Sequence, residues 1–439
     1  MLIALRNRTY RRLFLAQVVA LTGTGLATVA LGLLAYRLAG ADAGAVLGTA
    51  LAVKMVAYVT IAPLAGALAG LVPRKAMLVG LDLVRAAVAV ALPWVGEVWQ
   101  VYVLVFVLQA ASAAFTPTFQ ATIPDVLTDE RDYTAALTLS RLAYDLESLL
   151  SPLLAAVALA VVGLDRLFFG TSLGFAASAA LVVSVLLPSP RPTRLRRGGV
   201  TRGIRIYLAT PRLRGLLAVH LAAAAAGSVV FVNTVGYVRD GLGLTAVDVA
   251  VALGANGCGS LLAALALPAL LERHADRVVV VRAAALLATT LVVAIPVVAA
   301  VSGTWRWPVL LGLWAAIGAG GSLVLTPGAR LLRRSADAAD RPALFAADFA
   351  LSHACWLLCY PLAGWVGGTS ALVVLAVVTA GATAAAVRLW PHHDPEVVEH
   401  EHDGLAPDHE HLCDAAPVAG GWRHAHPYRI DDFHARWPA

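Results

Sequence analysis

Charge is what this sequence has least of: 14% of its residues are Asp, Glu, Lys or Arg, against 59% hydrophobic ones. With a mean hydropathy of +0.77, such a chain is excluded from ordinary soluble enzymes. Its apolar stretches recur too often and run too long for the cores of soluble domains. Cysteine is scarce too, and Cys258, Cys355, Cys359 and Cys413 are too scattered for a disulfide scaffold. No Gly-x-x-x-x-Gly-Lys-Ser/Thr run occurs, which argues against ATP drive, and no nucleophile and base pair stands out, which argues against an enzyme. No resident cofactor is expected. A net charge of +6 could suggest nucleic acid, yet the arginines fall between hydrophobic runs and form no single patch, so that partner is excluded.

What is present is a series of long apolar runs. Crossing a bilayer takes roughly 20 mostly apolar helical residues, and twelve runs qualify. The first six are Leu13 to Leu38, Ala45 to Val72, Ala76 to Val95, Val98 to Ile123, Tyr133 to Val162 and Leu167 to Leu187. The second six are Leu213 to Tyr237, Val247 to Leu271, Val278 to Val301, Trp307 to Leu332, Ala343 to Val366 and Leu372 to Leu389. Between the sets lies a loop with Pro188, Pro190, Pro192 and a run of arginines, which breaks helix and cannot enter lipid. The expected organisation is therefore a six-helix bundle over 1–188, a linker over 189–211, a second six-helix bundle over 212–390 and a polar tail over 391–439. Lys and Arg concentrate in the even-numbered connections, which by the positive-inside rule puts both termini in the cytoplasm. The halves also echo one another. Thr116-Pro117 precedes Pro152 on the fifth run by nearly the same interval as Thr326-Pro327 precedes Pro361 on the eleventh, as a duplicated unit would.

Ionisable side chains inside a span are costly and so become functional candidates. On the fifth run, Asp145 shares a helix face with Arg141 and Ser148 while Glu147 points nearly opposite, so the two acids are alternatives for one cavity wall. The plain alternative for Asp145 is an i,i+4 ion pair with Arg141. On the eleventh run, Asp348, Ser352, Cys355 and Cys359 follow an i, i+4, i+7, i+11 stripe with His353 beside it, a carboxylate, thiol and imidazole set suited to a borderline transition metal. Buried thiols also serve as plain small hydrophobes. Lys54 on the second run could snorkel to the outer interface and is read as structural.

The tail holds nine of the twelve histidines. Beside His392 and His393, three His-x-His pairs occur, His400/His402, His409/His411 and His424/His426, and in an extended chain each pair shares a side and could pinch one metal ion. Interspersed acids and prolines predict a tail disordered without metal; the bland alternative is a solvated polar segment.

Six plus six runs, a basic central loop and related halves together resemble the major facilitator superfamily, over residues 1 to about 390. That family carries Gly-x-Leu-Ala-Asp-Arg-x-Gly-Arg-Arg between spans two and three; this chain reads Gly66-Ala67-Leu68-Ala69-Gly70-Leu71-Val72-Pro73-Arg74-Lys75. The family's Asp is Gly70 here, and Asp82 and Arg85 on the third run are candidates to replace part of its gating charges. The exporter signature Gly-Pro-x-x-Gly-Gly is matched by Ser151-Pro152-Leu153-Leu154-Ala155-Ala156, which keeps small residues. A His-rich tail is similar in composition to that of nickel-tolerance permeases. The resemblance implies an all-α major facilitator fold in a bacterial inner (plasma) membrane, and alternating access by two pseudo-symmetric bundles. The expected function is proton-coupled export of a divalent transition metal, nickel or cobalt. The rivals are efflux of amphipathic organic compounds and a metal sensor that transports nothing.

Overall fold

The computed structural model describes residues 2–68, 73–127, 163–187, 199–337, 340–394, 397–402, 415–418 and 421–430, with isolated residues at 129, 132, 136, 139, 140, 143, 146, 147, 154, 157, 412, 434 and 437. Among them, eleven helices are long and apolar enough to cross a membrane. The expected fifth run falls almost wholly outside the described residues.

The first half contains α1 (Arg8–Ala39), α2 (Ala43–Leu68), α3 (Arg74–Ala91), α4 (Val98–Val126) and α5 (Leu164–Val183). A helix α6 (Gly199–Ala209) follows inside the stretch read as an irregular linker. The second half contains α7 (Pro211–Ser228), a π turn (Val229–Asn233), α8 (Thr234–Arg239), α9 (Ala246–Arg273), α10 (Asp276–Ala299), α11 (Arg306–Leu325), α12 (Gly328–Ser335), α13 (Arg341–Val366) and α14 (Gly368–Leu389). Local chemistry sets several boundaries. Asn7 caps α1 by accepting from the backbone N–H of Thr9 at 2.9 Å and Tyr10 at 3.1 Å, and Thr245 and Asp248 form a capping box at the start of α9. The repeated Thr-Pro pairs do not behave alike: α4 runs through Pro117, whereas α11 stops at Leu325 and Thr326 and Pro327 turn the chain into α12.

Each half packs around itself, and the halves meet along α2 and α13. Near the end of the bundle remote from the chain termini, Gly44 and Gly48 of α2 face Gly364 of α13. A Cβ on Gly48 would lie 2.6 Å from the Tyr360 carbonyl oxygen, so only glycine permits this approach. Trp365 Nε1 donates to Thr49 Oγ1 at 2.9 Å, and Tyr36 donates to Asp240 across the same seam.

The tail departs from expectation. It forms a three-stranded antiparallel sheet of β1 (Val397–His402), β3 (Gly421–Pro427) and β2 (Ala416–Val418), with β3 central. Its composition of acids and prolines suggested disorder, but apolar anchors outweigh that. Trp390 is 1% exposed, Ile430 2% and Tyr428 6%, all within the main hydrophobic core, which spans both halves, and Val398 and Trp437 pack against it.

Candidate functional site

A cavity of about 490 Å³ lies between the halves. Its wall takes Gly25 and Thr28 from α1, Lys54 from α2, Glu147, Gly227 from α7, Phe231 from the π turn, Asn256 and Ser260 from α9, Gly321 and Ser322 from α11, and Trp356 from α13. Trp356 lies over Gly227, where any Cβ would strike its ring, and its centroid is 6.1 Å from that of Phe231, so aromatic surface forms one wall. The π turn aims Phe231 inward, and Asn233 of the same turn donates to the Ala363 carbonyl at 2.9 Å. Glu147 and Lys54 share the cavity and interact electrostatically. A larger vestibule of about 560 Å³ sits beyond the glycine seam, lined by Asp42, Tyr237, Asp240 and Arg306.

Of the two acids on the fifth run, Glu147 reaches the cavity; Asp145 lies outside the described residues. Lys54 lines the cavity between the halves and does not reach an outer interface. It stands about 16 Å from the start of α2 and about 21 Å from its end at 1.5 Å per residue, beyond the reach of its side chain. That arithmetic was the signal the sequence reading passed over. Its ammonium lies 5.7 Å from the Tyr58 ring centre.

The stripe on the eleventh run forms as one helix, α13, but its members have separate partners. Asp348 accepts from the Tyr207 hydroxyl of α6 at 3.0 Å, and its carboxylate is 3.7 Å from His220 Nδ1 of α7. Burial, reinforced by that carboxylate, holds the Tyr207 phenol well above its usual range and keeps it a donor. His353 instead stacks on Tyr58 at 5.4 Å and donates from Nδ1 to the Phe349 carbonyl at 2.7 Å. Cys355 and Cys359 are buried in the main hydrophobic core, which fits the packing alternative for the thiols.

The signature around α3 works within the first half. Arg74 pairs with Asp125 at the end of α4, and Lys75 donates to the carbonyls of Val183 and Val185 at 2.7 and 2.9 Å, closing the end of α5. Asp82, fully buried, pairs with Arg85 and accepts from Ser178 at 2.7 Å. The Arg85 guanidinium lies between the rings of Phe115 and Phe175, at 4.2 and 4.5 Å. This ion pair therefore joins α3, α4 and α5. Gly66 lies on α2 among side chains outside the described set, and Ser151, Pro152, Ala155 and Ala156 lie outside the described residues.

In the tail, antiparallel pairing sets His400 opposite His424 and Val398 opposite His426, so both His-x-His pairs present their rings on one face. The ligand atoms of His400, His402, His424 and His426 all lie within 4.8 Å of one another. His434, which the paired-motif reading left out, joins them: its Nε2 is 3.0 Å from that of His400 and 3.2 Å from that of His402. It has no His-x-His partner, so spacing could not reveal it. His392 and His393 are exposed ahead of the sheet, and His409 and His411 fall outside the described residues.

Two related helical halves around a central chamber of mixed polarity define a membrane transporter of the alternating-access class rather than an enzyme. The sequence pattern of the Major Facilitator Superfamily matches residues 13–311, and the chain belongs to that superfamily. Its fold is similar to that of an auto-inhibited peptide transporter of the POT family (TM-score 0.69, 13% identity, covering 87% of this chain and 96% of that one). It is also similar to the nucleoside transporter NupG (0.67, 11%, 87% and 98%) and to a bacterial metal transporter (0.63, 14%, 87% and 98%). None of the curated proteins matches in sequence. At such identities these likenesses speak for fold alone.

Proposed function

We propose that this transporter is a proton-coupled exporter of a divalent transition metal of the nickel and cobalt type, with both termini on the cytoplasmic face of a bacterial inner membrane. The observation that carries the metal is the imidazole assembly on β1 and β3, an all-nitrogen donor set that suits such ions. In this reading the tail collects metal at the cytoplasmic face. Glu147 supplies the carboxylate of the chamber, and Asp348, held by Tyr207 and close to His220, supplies a half-buried acid at which protons exchange. The direction follows from the tail: the collecting ligands stand on the side from which metal is removed.

A second reading, efflux of amphipathic organic compounds, is favoured by Lys54. An ammonium beside the chamber carboxylate opposes a divalent cation, while the faces of Phe231 and Trp356 suit an organic solute.

Metal and drug susceptibility of a sensitive host with and without the chain, followed by flux into inverted vesicles, separates the two. Metal uptake that depends on a proton gradient supports the first. Drug uptake that ignores removal of residues 391–439 supports the second. Under the first reading, Asp348→Asn abolishes metal resistance while the protein stays in the membrane; persisting resistance would refute that role.

A further inference from the structure

The tail site is more than two strand-borne pairs, because one of its imidazoles comes from the far end of the chain. The Nε2 atoms of His400, His402 and His434 form a triangle with edges of 3.0, 3.0 and 3.2 Å. Nitrogens bound to one ion at about 2.0–2.1 Å stand about 3.0 Å apart at adjacent octahedral corners and about 3.4 Å apart in a tetrahedron. The triangle thus has the dimensions of one face of a coordination polyhedron, and His424 and His426 border it, with ring centroids 4.7 Å from that of His400.

Three residues after His434, Trp437 lies against the bundle. The Arg212 guanidinium at the start of α7 is 4.7 Å from the Trp437 ring centre and 3.2 Å from the Asp394 carboxylate. The Arg212 side chain is 1% exposed, so Trp437 helps seal it. Two turns further along α7 stands His220, facing Asp348. Arg334 of α12 also pairs with Asp394, and Arg429 pairs with Asp337 just after α12, so the sheet is already fixed to the body by other contacts. Metal would add a tie between these strands and the segment that carries His434 and Trp437.

We propose that His400, His402 and His434, with His424, form a divalent-metal centre whose loading latches the chain's end, through Trp437, onto Arg212 and thereby reports cytoplasmic metal to the helix that carries His220. This rests on the metal reading above but makes the tail ion a regulatory ligand in addition to any cargo. Without metal, the segment of His434 and Trp437 keeps its ring packing and the Trp437 contact with Arg212. With metal, it is tied to both strands.

The test uses the full chain in lipid nanodiscs, with Ni²⁺ alone and then Zn²⁺ alone as probes. Amide hydrogen exchange over residues 428–439 and 199–214 is followed beside affinity by chelator competition. Metal should slow exchange in both segments, and chelation of the same sample should reverse it. His434→Ala should lower affinity by at least about tenfold and remove the protection of 428–439. Trp437→Ala should hold affinity within about threefold yet lose the protection of 199–214. Wild-type affinity in His434→Ala, or metal binding that leaves both segments unchanged, overturns the latch. Metal flux into inverted vesicles is scored separately. A latch without metal flux removes only the export reading, and metal flux without a latch removes only this inference.

Discussion

The chamber collects its polar groups from helices of both halves, whereas the tail collects its imidazoles from two short strands and one residue beyond them. The two regions therefore differ in chemistry and in how local their information is. Along a strand, period-two spacing alone sets His400 with His402 and His424 with His426 on one face. Around the chamber, Lys54, Glu147, Asn256 and Ser322 converge only because both halves are folded and docked. One region is a donor set of a single kind, fit to grip an ion. The other is mixed, with an ammonium, a carboxylate, hydroxyls and aromatic faces, fit to bind and release a solute.

The largest expected effects come from separating these roles. Glu147→Gln should reduce gradient-driven transport to the level of vesicles lacking the protein while tail metal affinity stays as in the wild type. A parallel loss of metal binding would mean that chamber and tail are one site. The reciprocal double substitution His400→Ala with His424→Ala should weaken metal binding by about 100-fold or more, measured by chelator competition, with the membrane body unfolding at its usual temperature. Binding to the tail should also weaken on acidification, because an imidazole must shed its proton to accept metal. A metal affinity insensitive to pH would point to carboxylate ligands instead.

A smaller effect probes the seam on which any movement of the halves turns. Gly48→Ala places a methyl 2.6 Å from the Tyr360 carbonyl and should cost about 1–3 kcal/mol through overpacking, read as a lower unfolding midpoint together with slower transport. Full stability and full transport would show that α2 and α13 do not need this approach.

The same contrast explains what could be read from the chain before folding. The apolar runs, the charge alternation and the two bundles were legible because membrane crossing imposes length and hydropathy residue by residue. The strand-borne histidines were legible for the equally local reason of spacing, although the order of the tail was not, since it depends on Tyr428, Ile430 and Trp390 finding the main core. The stripe of Asp348, Cys355 and Cys359 lies on one helix, as its spacing implies, but the spacing says nothing of the partners. Which neighbour Asp348 meets is decided by α6 and α7, and α6 lies in a stretch whose prolines and arginines predict an irregular linker. Lys54 could have been found from its mid-helix depth, whereas His434 could not have been found from sequence by any spacing rule.

The smallest predicted effect concerns the half-buried acid of the second half, which lines neither region. Asp348 has one close donor, the Tyr207 hydroxyl at 3.0 Å; His220 Nδ1 at 3.7 Å is beyond hydrogen-bond range. Tyr207→Phe removes the donor while keeping the ring that packs beneath α13. A hydrogen bond to a fully enclosed carboxylate would be worth about 1.5–3 kcal/mol, but the Asp348 side chain is 20% exposed, so water can replace part of what is lost. The expected cost is therefore about 1 kcal/mol of stability, at the low end for hydrogen bonds, with transport reduced but not abolished. If Tyr207→Phe were instead as inactive as Asp348→Asn, the phenol itself would be a station for the proton, and α6 would be part of the transport machinery rather than a strap between the halves.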